Sequence, residues 1–140
     1  MTWYCQHMKL GFTGTQFGMT AEQLEKFKQL IAELQPKEFH HGDCVGADAE
    51  AHQLIVNTGC KIIIHPPKNE TKRAFCGSDT IRKPKDYLVR NHDIVDETEV
   101  TIATPREHTE QMRSGTWATV RYCSKSGKKV YIILPDGQVK

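Results

Sequence analysis

The run Cys60-Lys61-Ile62-Ile63-Ile64-His65, stopped by Pro66-Pro67, constrains this chain more than any other feature. Such a continuous β-branched segment belongs to a strand buried on both faces, as in a parallel sheet. Neighbouring strands of a parallel sheet need crossover connections, and the sequence supplies them as helical patterns. Lys9 to Phe12 is a short apolar strand ending in the glycine turn Thr13 to Gly18. Thr20-Ala21-Glu22-Gln23 has capping-box spacing, and Leu24, Phe27, Ile31 and Leu34 form a helical stripe stopped by Pro36. Lys37 to His41 is a second strand, followed by the turn Gly42 to Asp48 and a helix from about Asp48 to Asn57 that Gly59 closes.

Between Lys68 and Lys85 the periodicity disappears, and Lys68, Lys72, Arg73, Arg82, Lys83 and Lys85 make a basic loop. A loop of this length in a compact domain is usually functional or mobile. Tyr87 to Val95 reads as a helix with Leu88, Ile94 and Val95 facing the core, and Val100 to Ala103 as a strand. A helix from the Arg113–Thr116 turn to about Ser124, the break at Gly127 and the strand Val130 to Leu134 complete the pattern. The expected fold class is α/β: a single doubly wound, mostly parallel, Rossmann-like sheet of about five strands with helices on both faces. Residues 1–7 read as an N-terminal extension and residues 8–140 as one domain.

The 140 residues, 38% of them hydrophobic, match one ordinary core. With 19 basic and 17 acidic side chains, the net charge of +2 implies neither a nucleic-acid nor a membrane surface. Cys5, Cys44, Cys60, Cys76 and Cys123 form no C-x-x-C pair, and their odd number argues against a disulfide framework. With no basic leader, no lipidation pattern and no apolar run of membrane-spanning length, a soluble cytoplasmic protein is expected.

In doubly wound sheets, ligands collect beyond the carboxyl ends of the strands, near the point where strand order reverses. Three polar turns fall there: Thr13 to Gly18, Gly42 to Asp48, and Arg113-Ser114-Gly115-Thr116. Each alone reads as a tight connection, and Gly14 with Gly18 does not make the dinucleotide fingerprint. Three turns at one edge, two of them opening helices, favour a phosphate-bearing small molecule. Arg113 supports this, since a guanidinium grips phosphate through two hydrogen bonds. The basic loop ranks as a lid over an anionic ligand ahead of a contact for single-stranded nucleic acid, because only Phe75 and Tyr87 offer stacking platforms.

His40 and His41 are adjacent in a strand and point to opposite faces, so they do not converge on one ion. One reads as packed and the other as facing the pocket. His65 and His92 read as isolated structural histidines. No metal and no cofactor are expected, and no cysteine sits beside a base that would make it a nucleophile.

His41-Gly42-Asp43-Cys44-Val45-Gly46-Ala47-Asp48 resembles the H-G-G-A-x-G-A-D signature of the YspA-like branch of the SLOG superfamily. Arg90-Asn91 resembles its R-N pair and Gly115-Thr116 its late G-T turn, in matching order from about Lys9 to Leu134. The resemblance implies a Rossmann-like fold for nucleotides or nucleotide-derived ligands, related to the Lonely Guy phosphoribohydrolases, the DNA-processing protein DprA and antiviral sensor domains. It also implies a homodimer or higher homo-oligomer. The Lonely Guy motif P-G-G-x-G-T-x-x-E places its glutamate at Thr119, which carries no carboxylate, so that mechanism does not transfer residue for residue.

The leading expectation is therefore a nucleotide-binding module, sensing or sequestering its ligand, with Arg113, Ser114, Gly115 and Thr116 on the phosphate. Gly14, Thr15, Gly42, Asp43, Gly46, Asp48, Arg90 and Asn91 complete the expected site, with Asp43 a candidate for ribose hydroxyls. The alternative is a nucleoside 5'-monophosphate N-glycosidase using Glu110 or Asp43 as the acid and Arg90 as its electrostatic partner. Single-stranded nucleic-acid contact is the weaker alternative.

Overall fold

The computed structural model describes residues 8–140; the expected N-terminal extension, residues 1–7 with Cys5, lies outside the described residues. One parallel sheet of six strands carries the fold: β1 (Lys9–Gly14), β2 (Glu38–His41), β3 (Lys61–Ile64), β4 (Thr80–Ile81), β5 (Val100–Thr104) and β6 (Lys129–Ile132). Four helices alternate with them: α1 (Ala21–Leu34), α2 (Ala47–Ile55), α3 (Tyr87–Asp96) and α4 (Gly115–Lys125). The strand order is β4-β3-β2-β1-β5-β6, so the winding reverses between β1 and β5. Five strands match the expected apolar runs. The sixth, β4, is a two-residue edge inside the basic loop, too short to leave a periodic signature.

Helix α1 starts where its capping box predicts. The Thr20 hydroxyl accepts from the Gln23 amide at 3.0 Å, and the Gln23 side chain accepts from the Thr20 amide at 2.9 Å. The Gln23 side-chain amide also donates to the Pro105 and Ile133 carbonyls, tying this helix start to the far side of the sheet. Phe27 on α1 meets Phe12 of β1 edge-on at 5.3 Å and Phe39 of β2 at 6.0 Å. All three rings are fully buried, and truncating one to alanine costs about 3–5 kcal/mol through lost burial and a residual cavity.

Helix α2 covers the same face with Ala47, Ala51 and Ile55, whereas Val45 and Val56 at its margins are exposed. Helices α3 and α4 cover the opposite face, where Trp117 and Val120 pack on Ala103 and Leu134. Leu88, expected in the core, is instead exposed beside Val89 at the start of α3; Ile94 and Val95, nearly two turns further along, are the buried apolar residues of this helix. Among the described residues no helix is long and apolar enough to cross a membrane, and Cys44, Cys60, Cys76 and Cys123 are free thiols.

Candidate functional site

Where β1 and β5 part company, their carboxyl ends open a crevice that the following turns wall in. After β1, the Thr15 amide donates to the Thr104 carbonyl at 3.1 Å, and the Thr15 hydroxyl accepts from the Phe17 amide at 3.2 Å. After β2, the chain doubles back beneath that turn. Gly46 has φ +90°, and a Cβ there would collide with the Gln16 backbone, so only glycine allows the two loops to stack. Asp48 organises the second loop, its Oδ2 accepting from the Gly42 and Cys44 amides at 3.2 Å each. Its Oδ1 is buried without a hydrogen-bond partner among the described residues, and burial raises its pKa to about 6.

The crevice is a cavity of about 660 Å³. Its floor is Gly14 to Phe17, and one wall is Arg113 to Thr116, where α4 begins. The Ser114 hydroxyl caps that helix by accepting from the Trp117 amide at 3.2 Å. The amides of Gly115 and Thr116, in the first turn, have no carbonyl of their own helix to bond and mark the positive end of its dipole. Lys68, Lys72, Arg106 and Arg113 all line the cavity, against two acids, Asp86 and Glu107. Two aromatic rings are held in place by cations: Arg106 lies 4.2 Å from the Phe17 ring centroid, and Arg90 lies 5.0 Å from that of Tyr87. The close approach of Tyr87 to α4 also requires Gly115, since a Cβ there would run into the Tyr87 hydroxyl.

Of the residues singled out from the sequence, Gly14, Thr15, Arg113, Ser114, Gly115 and Thr116 line this cavity. Gly42, Asp43, Gly46, Asp48, Arg90 and Asn91 do not; they form the layer beneath it. Asp43 is fully buried at φ +55°, its carboxylate taken up by Arg73 Nε and the Cys76 amide, both at 2.9 Å. It fastens the basic loop to the β2 turn. Arg90, 3% exposed, donates to the carbonyls of Gly42 and His65 and to Asn91 Oδ1 at 2.7 Å. Glu110 sits outside the cavity, paired with Arg121 at 2.6 Å. Thr119, at the position of the Lonely Guy glutamate, donates its hydroxyl to the Gly115 carbonyl at 2.9 Å inside the helix.

The histidines differ from expectation. His40 and His41 do point to opposite faces, but both are fully buried and neither lines the cavity. His41 Nε2 pairs with His52 Nδ1 at 3.0 Å, and His40 Nδ1 pairs with His65 Nε2 at 2.9 Å, so His65 is not isolated. Burial, with neighbouring cationic groups adding to it, lowers the pKa of His41 and of His65 to about 3. His92 stacks on Tyr122 with ring centroids 3.8 Å apart.

Glu107, Arg106, Phe17 and Cys44 were not anticipated at the cavity. Glu107 accepts from the Trp117 indole at 3.0 Å. Its only sequence signal is its place just after a strand at the reversal point, within an otherwise unpatterned polar segment. Cys44 receives an Arg90 N–H at 3.5 Å, and burial raises its thiol pKa, so it is a wall rather than a thiolate nucleophile.

A six-stranded parallel sheet with a cationic crevice at the reversal point defines an α/β protein of Rossmann type. Solved structures share this fold. The molybdenum cofactor binding protein of Rippkaea orientalis aligns over 91% of this chain and 76% of its own, with a TM-score of 0.70 and 23% identity. DNA processing protein A of Streptococcus pneumoniae aligns over 91% of this chain and 50% of its own (TM-score 0.65, 21% identity). The Helicobacter pylori protein of that name, described for its single-stranded DNA binding mode, aligns over 89% and 64% (TM-score 0.60, 15% identity). The shared fold is the one that the SLOG resemblance implies. No family profile matches this sequence, and no curated protein is significantly similar to it.

Proposed function

We propose that the chain binds a nucleotide or nucleotide-derived small molecule, with the ligand's phosphate seated between Arg113 and the start of α4. The supporting observation is convergence: four cationic side chains and the positive end of the eleven-residue helix α4 face one cavity at the sheet's reversal point. Phe17 and Tyr87 offer flat apolar surfaces for a base, and the cavity volume lies in the small-molecule range. Thermal-shift screening of mono-, di- and cyclic nucleotides tests this, since a ligand held only by the folded state raises the melting temperature. A saturable shift supports the proposal; silence from every nucleotide removes it.

Glu107 favours a second reading, cleavage of the N-glycosidic bond of a nucleoside 5'-monophosphate. Its carboxylate is on the cavity wall and fixed by Trp117. Such a group can stabilise an oxocarbenium-like ribose or activate water. Release of free base that Glu107→Gln abolishes would establish the enzyme; binding without release leaves the sensing or sequestering module. Single-stranded DNA competes with both readings, and it predicts a steep loss of affinity with salt along a strand longer than the cavity.

A further inference from the structure

On the α3 face of the sheet, away from the cavity, three polar side chains from three different elements meet. His40 comes from β2, His65 from the end of β3 and Glu97 from the residue after α3. His40 Nε2 lies 2.9 Å from Glu38 Oε1. A carboxylate only accepts, so Nε2 carries the proton and Nδ1 presents its lone pair. That lone pair faces His65 Nε2 at 2.9 Å, with Glu97 Oε1 4.0 Å away. The three candidate ligand atoms all lie within 4.8 Å of one another.

We propose that His40 Nδ1, His65 Nε2 and the Glu97 carboxylate bind one divalent transition-metal ion of the zinc type, which clamps the end of α3 to β2 and β3. Two imidazoles and a carboxylate are the donor set that borderline-soft divalent ions prefer over magnesium or calcium. Glu38 supplies the outer carboxylate that orients a metal-bound imidazole from its far nitrogen. Tetrahedral zinc with Zn–N bonds of about 2.0–2.1 Å sets its ligand nitrogens roughly 3.3 Å apart, so the histidine pair opens by only ~0.4 Å.

Both imidazoles are buried, so the nitrogens that would hold the ion are fixed in place on the sheet face. The side chain of Glu97 is 36% exposed, which gives the ion an entry path and room for a water as fourth ligand. Arg82 donates to Glu97 Oε1 at 2.7 Å. That is the oxygen facing His40, and Arg82 holds it from Nε as well, at 3.3 Å; a carboxylate oxygen has two lone pairs, so Arg82 and the ion share it. The other cationic groups facing His65 are Arg90 and Lys85, while Glu38 and Glu97 face His40.

The test is competition between the metal-free full chain and a chromophoric chelator for zinc, near neutral pH. One zinc per chain at micromolar or tighter affinity is expected. Glu97→Gln, at a partly exposed position, keeps the fold and weakens binding at least about ten-fold; His65→Gln abolishes it, and His92→Gln changes nothing. Cobalt substituted into the site gives tetrahedral visible bands without thiolate charge transfer. Zinc raises the melting temperature of the wild type more than that of Glu97→Gln. Absence of stoichiometric binding, equal binding by Glu97→Gln, or a thiolate band that assigns the metal to cysteine would each overturn the proposal.

Discussion

Arg90 lies 5.0 Å from the ring centroid of Tyr87 while bonding the carbonyls of Gly42 and His65. A buried cation thus shapes the cavity through an aromatic side chain that lines it, without entering it. Removing that cation leaves two buried carbonyls and Asn91 without their donor. Arg90→Ala is therefore expected to destabilise the fold by about 3 kcal/mol or more. Chemical denaturation measures this, and a loss within about 0.5 kcal/mol would show that the guanidinium is not structural.

Gly46 makes the β1 and β2 turns stack at φ +90°, where a side chain would meet the Gln16 backbone. Gly46→Ala is expected to cost about 2 kcal/mol or more and to spoil the cavity floor as well, because Gln16 and Phe17 must move. Gly59→Ala supplies the contrast. It shares a positive φ, but none of the described residues lies within 4 Å of a Cβ there, so it carries only the smaller backbone penalty of about 1 kcal/mol. Equal losses in the two variants would show that the collision is relieved.

Acid should unfold this chain early. Burial lowers the pKa of His40, His41, His52 and His65, with His41 and His65 near 3. The unfolded state, with ordinary histidines, takes up protons first as pH falls below about 6.5, so stability falls from there toward pH 3. Asp48 acts in the opposite sense: burial raises its folded pKa to about 6. Its contribution is present at low pH and lost as pH rises through 6, offsetting part of the histidine effect. Melting temperature is thus expected to drop between pH 6.5 and 5, and to drop more steeply in Asp48→Asn. A flat profile over that interval would contradict the assignment.

The fold was legible because its determinants are local. The Ile62–Ile64 run, the Thr20 capping box and the glycine turns each announce themselves within a few residues, whereas β4 has two residues and no pattern. The cavity was half legible. Turns that follow strands can be placed on one edge from sequence alone, so Gly14, Thr15 and Arg113 to Thr116 could be located. Which side of those turns a carboxylate faces depends on packing, and Asp43 was turned away by Arg73 while Glu107 was fixed by Trp117. The histidine pairs were not legible at all. They arise from the β2–β3 register, in which His41 stands opposite Ile64 and the chain then delivers His65 to His40.

Calorimetric titration of a nucleoside 5'-monophosphate into the wild-type chain and into Arg113→Ala reads the phosphate seat most directly. Arg113 is exposed and makes no ion pair among the described residues, so the variant keeps the fold. Loss of a charge-assisted contact of about 1.5–3 kcal/mol predicts affinity about ten- to a hundred-fold weaker, with unchanged stoichiometry. Equal affinity in the two proteins would place the phosphate elsewhere and contradict the assignment of Arg113 and the start of α4 as its cradle.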